Sequence, residues 1–264
     1  MEVSEATWLF GVMLAFAAVT PPALHYLKAK TLAATQQFPE DPPNLPKLTI
    51  LLPVRNESIV IRDKLDEILG MEYPLSRVSL LVVDSSSTDQ TESLAREHLE
   101  KNAEGVSWKI ENAERLGKSI AVNMALDAIE TEIFVMMDAD AMLQPSSLRL
   151  LARWFQDPMI GAVCGQLNLP HESPRHPYRS RFNTLRVGES VNDSTPIFEG
   201  SICAFRMSAI GHSRIDSGNN ADDSQLAMVV RRNGFRAIMD PEIKFFEPNS
   251  EKSTGKRSRR VRRA

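Results

Sequence analysis

IFVMMDADA, residues 133–141, is the stretch on which the fold turns. Five consecutive apolar residues leave no side for water, so the run reads as a strand buried on both faces, the habit of parallel sheets covered by helices. It then opens into Asp138 and Asp140, where the chain would leave the sheet. Upstream the same kind of run occurs three times, each time followed by helical spacing. LTILLPV (48–54) precedes a helix over Ile59–Leu69, VSLLVV (78–83) one over Thr88–Leu99, and VSWKI (106–110) one over Lys118–Ile129. Strands alternating with amphipathic helices predict an α/β fold, a mainly parallel sheet with helices on both faces. Downstream the pattern loosens. A helix through LRLLARWF (148–155) leads to a strand GAVCGQL (161–167), an amphipathic stretch PYRSRFNTLRVGES (177–190), a strand IFEGSICAF (197–205), a helix DSQLAMVVRR (223–232) and a last strand FRAIM (235–239).

Outside this domain, set at residues 48–251, three segments differ in composition. QQFPEDPPNLPK (36–47) holds four prolines and reads as a stiff, extended linker. Residues 1–35 contain TWLFGVMLAFAAVTPPALHYL (7–27), uncharged and roughly the 20 residues a bilayer requires. Glu2 and Glu5 precede it and Lys28 and Lys30 follow, the reverse of a signal peptide, so a spanning helix would leave the domain in the cytoplasm. Pro21 and Pro22 would kink or end such a helix, which keeps an interfacial or buried helix open as the other reading. The tail KSTGKRSRRVRRA (252–264) has seven basic residues and no acid, so a chain of net charge −3 has a body at −10. Such a tail suits phosphate groups or an anionic membrane surface. Cys164 and Cys203 lie in apolar runs and predict buried thiols in a reducing compartment rather than a disulfide framework. The five histidines have no metal-site spacing.

Open parallel sheets bind ligands at the carboxyl ends of their strands, and the polar residues gather there. Two carboxylates as close as Asp138 and Asp140 repel one another, and a hard divalent cation shared with substrate phosphates relieves that repulsion. A solvated acidic turn is the alternative. Asp84, ending the second strand, is placed to accept a hydrogen bond from a nucleobase, while Thr88 or Asp89 caps the next helix. Asp222 and Asp223 head a helix, where the dipole favours acids, and a carboxylate there could also take a proton from an attacking hydroxyl. Gly200 marks either a close approach of backbone to a ligand or a bulge in a strand.

PVRNE (53–57), VDSSSTDQT (83–91), GKSIAVNMAL (117–126) leading into DAD, LQPSSLRLLARWFQDPMIGAVCGQ (143–166), FEGSICAFR (198–206) and ADDSQLAMVVRRNGFRA (221–237) together resemble the family 2 glycosyltransferases. That family has the GT-A fold and transfers sugar from a nucleotide sugar with inversion. The resemblance implies that Pro53, Asn56 and Glu57 lie by the nucleoside, that Asp84 contacts the base and that Lys118 is near the donor. It implies that Asp138 and Asp140 serve ribose, diphosphate and a divalent metal, Mg2+ or Mn2+, with Asp140 the direct ligand. Asp223 would be the catalytic base, with Asp222 and Gly200 on the acceptor side. DADAMLQPSSLRLLARWF looks closer to the polysaccharide-synthase-like members, which use hydroxyl acceptors, than to synthases that use a polyprenyl phosphate.

The expected partners are a nucleotide diphosphate sugar, a glycan or lipid-linked acceptor and a membrane, and no nucleic acid. Transfer to a lipid or polyprenyl phosphate, or a non-catalytic nucleotide-sugar-binding subunit, are the competing readings. Two departures stand out. Ser85-Ser86 replaces the family's usual Asp-Gly, and KRSRRVRRA has Arg260 where membrane-bound members carry tryptophan in Gln-Arg-x-Arg-Trp. Such members continue into further membrane helices, so the chain is expected to be a fragment or truncated form. A haloacid dehalogenase phosphatase is disfavoured because Ala141-Met142 rather than Gly-Thr follows the acid pair, and on the fourth strand rather than the first. A nucleotidyltransferase is disfavoured because PVRNES (53–58) lacks glycine.

Overall fold

The computed structural model describes residues 5–113, 117–218 and 221–246, so the basic tail lies outside the described residues. After helix α1 (Glu5–Ala33) come β1 (Leu48–Val54), α2 (Ile61–Leu69), β2 (Val78–Asp84), α3 (Thr91–Asn102), β3 (Ser107–Asn112), α4 (Lys118–Ala128) and β4 (Ile133–Met137). They are followed by β5 (Met142–Leu143), α5 (Ser147–Ala152), β6 (Ile160–Leu167), α6 (His176–Asn192), β7 (Ile202–Arg206), α7 (Met207–Ile210), α8 (Asp222–Arg232) and β8 (Arg236–Phe246). The strands form one sheet in the order β3-β2-β1-β4-β7-β6-β8-β5. β3, β2, β1 and β4 are parallel, β7 is antiparallel to both β4 and β6, and β8 runs parallel to β6.

Alternation along β1 explains why both faces must be covered. Ile50 and Leu52 point into a core with Ile61, Leu65 and Ile68 of α2, Ala95 and Leu99 of α3, and Leu148 and Leu151 of α5. Leu51 points the other way, with Phe134 and Met136, into a core with Ala121 and Ala125 of α4 and Leu226 and Val230 of α8. Each fully buried leucine, isoleucine or phenylalanine contributes about 1.5–3 kcal/mol. β3 has one free edge, and its burial alternates accordingly.

Three expectations change. The strand read over 197–205 begins only at Ile202, because its partner β4 stops at Met137, opposite Ile202, and leaves residues 197–201 with no ladder to join. The last strand runs on to Phe246; the register against β6 slips between Cys164/Met239 and Gln166/Lys244, and Pro241, which cannot donate to a ladder, sits in that slip. Pro21 and Pro22 lie within α1 rather than ending it. Residues of the proline-rich segment pack on the domain: the Phe38 ring lies 5.0 Å from the Arg153 guanidinium, Gln156 donates to the Glu40 carbonyl and Arg149 pairs with Asp41.

From Thr7 to Ala33 α1 is apolar enough to cross a membrane, with a mean hydropathy of 1.6, and that apolar window is exposed. Its last turns touch the domain. Ala29 is buried against α6, where a Cβ on Gly188 would overlap the Ala29 carbonyl, and His25 lies 3.2 Å from Glu189.

Candidate active site

The carboxyl ends of β1, β2 and β4 form one edge, and register puts Val54 beside Asp84. Two loops meet there and are stitched together by side chains. Asn56, at φ 55°, accepts the Thr88 N–H at 2.8 Å and donates its own N–H to Ser87 Oγ; the Glu57 N–H goes to Thr91 Oγ1 and the Ser58 N–H to Asp89. Asp89 also accepts the N–H of Thr91, the first residue of α3, from one residue before the N-cap, which is Gln90 and makes no side-chain cap, so neither Thr88 nor Asp89 holds the expected cap position. Asp84 is 3 % exposed, and its Oδ1 accepts both the N–H and the hydroxyl of Ser87, at 3.0 and 2.6 Å. The oxygen facing Ser87 is thus occupied by the loop itself. Pro53 pairs with Val83 within the β1–β2 ladder.

The Ser85-Ser86 pair now has a physical account. Ser86 sits at φ 54°, in the left-handed region, which is the conformation that makes glycine the commoner residue there. Its hydroxyl bonds the Ala113 carbonyl, and the Ser85 hydroxyl accepts the Gly117 N–H at the start of α4.

Antiparallel pairing of β4 with β7 brings residues 200–201 to the same edge. The Asp138 N–H donates to the Ser201 carbonyl, and Ser201 Oγ lies 3.4 Å from Asp138 Oδ2. Lys118, heading α4, reaches Asp138 at 2.8 Å and the buried Asp222 at 3.0 Å. Burial penalises its ammonium, but Asp138 and then Asp222 outweigh that and hold the lysine above its ordinary pKa. Asp222, expected at a helix head and on the acceptor side, is an ion-pair partner of Lys118.

Asp223 is different. Its carboxylate lies against Gly200, where a Cβ would come within 3.1 Å of Oδ2. Burial, reinforced by neighbouring Asp222 and Asp138 against the pull of the Ser224 N–H and Lys118, pushes its pKa up to about 6. Gly200 thus marks close approach, but to this carboxylate, and it precedes β7 rather than forming a bulge in it. Its neighbour Glu199 is gripped by Arg179 and Arg186 of α6. Two cationic tethers on one carboxylate fix the loop that Asp223 packs against.

Asp138 and Asp140 both lie at this edge, partly buried. Among the described residues no group of three His, Cys, Asp or Glu gathers to enclose a cation. Two hard carboxylate donors, short of a complete shell, fit a Mg2+- or Mn2+-type ion whose remaining ligands are phosphate oxygens and water.

Sequence reasoning missed Lys64 and Glu67. Lys64 stands on the apolar face of α2 between Ile61 and Leu65, and its ammonium is buried against Glu67 and the Ala141 carbonyl. A lysine where the helical period demands an apolar residue was the available signal.

Residues 49–213 match the sequence model of glycosyl transferase family 2. A probable glycosyltransferase of Bacillus subtilis, YdaM, is 31% identical over 133 residues, 49% of this chain and 31% of that protein. A β-monoglucosyldiacylglycerol synthase of Nostoc is 31% identical over 121 residues, 46% of this chain and 26% of that protein. The chain thus spans about a third or less of these curated relatives. The solved mannosyltransferase PcManGT of Pyrobaculum calidifontis, in complex with GDP-Man and Mn2+, superposes with a TM-score of 0.80 at 33% identity, covering 96% of this chain and 71% of that one. A sheet with this strand order, an acid pair at the end of its central strand and the family's own sequence pattern over most of the domain agree: the chain belongs to glycosyl transferase family 2 and has the GT-A fold.

Proposed function

We propose that the chain transfers a sugar, with inversion, from a nucleoside diphosphate sugar to a hydroxyl acceptor, a growing glycan or lipid-linked glycan, at the cytoplasmic face of a membrane. The observation that carries this reading is the set of acidic groups at the carboxyl edge of the sheet and the helix head beside it: Asp84 ending β2, Asp138 bridged to Asp222 by Lys118, and Asp223 against Gly200. The structural relative PcManGT, seen with GDP-Man and Mn2+, supports the donor class and the metal. The exposed apolar length of α1, with Lys28 and Lys30 following it, supports the membrane and its side.

Each residue then has a task. Pro53, Asn56, Glu57 and Asp84 shape the nucleoside end, where the stitched loops hold their backbones before the donor arrives. Asp138 and Asp140 would hold the divalent cation, which when bound supplies positive charge to the departing diphosphate. Lys118, which pairs with Asp138 and Asp222, would place its ammonium beside the donor diphosphate and donate to it. Asp223, basic enough to take a proton near neutral pH, removes it from the acceptor hydroxyl as that oxygen attacks the anomeric carbon opposite the leaving group. An acceptor phosphate is already ionised and needs no such base.

Thermal shift against uridine, guanosine and thymidine diphosphate sugars with Mn2+ or Mg2+ identifies the donor, since bound ligand raises stability with its affinity. Asp140→Ala should abolish metal-dependent release of nucleoside diphosphate, which a non-catalytic subunit would not show at all. Asp223→Asn should bind donor normally and fail to transfer; near-normal transfer to a lipid phosphate would remove the base and the hydroxyl acceptor together.

A further inference from the structure

The Asp138–Asp140 turn is held from outside the cleft by a helix that touches no expected ligand. The Ala141 N–H closes the turn onto the Asp138 carbonyl, and the Ala141 carbonyl in turn accepts Lys64 Nζ at 2.6 Å. Glu67, one turn along α2, accepts the same ammonium on Oε1 at 2.6 Å and the Leu143 N–H on Oε2 at 3.0 Å. One lysine and one glutamate therefore grip the chain on both sides of Met142, immediately after the second aspartate. The Lys64 side chain is 1 % exposed. Stripping water from an ammonium is costly, and a leucine at this position would fill the same face of α2 without that cost. A buried charge used for packing alone would be a poor choice. Here it delivers three things an apolar residue cannot: a strong hydrogen bond to a backbone carbonyl, a fixed orientation for Glu67, and positive charge behind a turn bearing two carboxylates.

We infer that Lys64 and Glu67 are positioning residues for the donor site, setting the backbone of the Asp138–Asp140 turn in the geometry that receives a divalent cation and a nucleoside diphosphate. The inference rests on the donor reading above and adds residues to it. Neither side chain needs to touch the ligand. Their effect runs through the Ala141 carbonyl and the Leu143 amide, and a small displacement of that turn misplaces both carboxylates at once.

The test is a Mn2+ titration followed by electron paramagnetic resonance, with the ion alone and with GDP or UDP present, on the full chain. Lys64→Met should keep the circular dichroism spectrum of the parent yet weaken nucleotide-dependent Mn2+ binding at least tenfold. Glu67→Gln, which keeps an acceptor for the Leu143 N–H, should stay within threefold of the parent, whereas Glu67→Ala should lose at least fivefold. Because Glu67 is 25 % exposed, its variants serve if Lys64→Met does not fold. Binding within twofold of the parent in both folded Lys64→Met and Glu67→Ala, or in Glu67→Ala alone if Lys64→Met does not fold, overturns this inference and leaves the donor site standing. A parent chain that binds no Mn2+ with either nucleotide overturns both.

Discussion

At the scale of single residues, Asp223 links stability to function. A carboxyl that binds its proton more tightly when folded stabilises the protein at low pH, and that contribution is lost as pH rises through about 6. Asp223→Asn should therefore gain about 1–2 kcal/mol of stability at pH 7.5, or roughly 3–6 °C in Tm, while transfer falls at least about 100-fold. In the unmodified chain the same titration appears in kcat/KM, which should fall below a pH of about 6 as the base becomes protonated. Asn56 gives a test of a different kind. Its φ of 55° and its bond to the Thr88 N–H can be separated, since glycine keeps the first and alanine keeps neither. Asn56→Gly should cost about 1 kcal/mol and Asn56→Ala about 2 or more in chemical denaturation.

The elements were legible wherever one physical signal dominated. β1, β2 and β4 are mostly apolar runs, and their ends agree with the structure to within a residue because a strand buried on both faces needs apolar side chains on each. β7 and β8 were misjudged because their extents depend on partners rather than composition: β4 truncates the first, and a slip in register carries the second past Pro241. The candidate site divides in the same way. Asp84, Asp138 and Asp222 were visible as acids at strand ends and a helix head, but Lys118 bridging two of them depends on α4 and α8 packing on the same face of the sheet, more than a hundred residues apart in sequence, which no local pattern encodes. Lys64 and Glu67 were hidden for a related reason, since the groups they bind are backbone atoms about 75 residues away. A buried network between elements also yields a stability forecast. Arg153 joins Asp240 at 2.7 Å, and Trp154 donates to the same oxygen. Arg153→Met would leave Asp240, fully buried, without its cation and should cost about 3 kcal/mol, read as a lower denaturation midpoint.

At the scale of the whole molecule, the long first helix and the domain are held together at one crossing. Where Ala29 meets Gly188 the backbones touch, so no larger residue fits without moving α1. Gly188→Leu should detach the end of α1 from α6, which trypsin would report as severalfold faster cleavage after Lys28 and Lys30, while the parent resists. The linker is pinned as well, by Arg149, Arg153 and Gln156. The short pairing of Met142 and Leu143 with Phe246 and Phe245 bears on the order in which the molecule is completed. During synthesis the parallel half of the sheet, through Met137, emerges from the ribosome with its parallel partners, and β4 still awaits β7. The turn that carries Asp138 and Asp140 waits longer. The edge strand that follows it has no neighbour until about a hundred further residues have left the exit tunnel and β8 has added to β6. A chain released before β8 would therefore hold its acidic turn by Lys64 and Glu67 of α2 alone, without the β5–β8 pairing beyond it. The last strand to be made is the one that completes the support of a turn made about a hundred residues earlier.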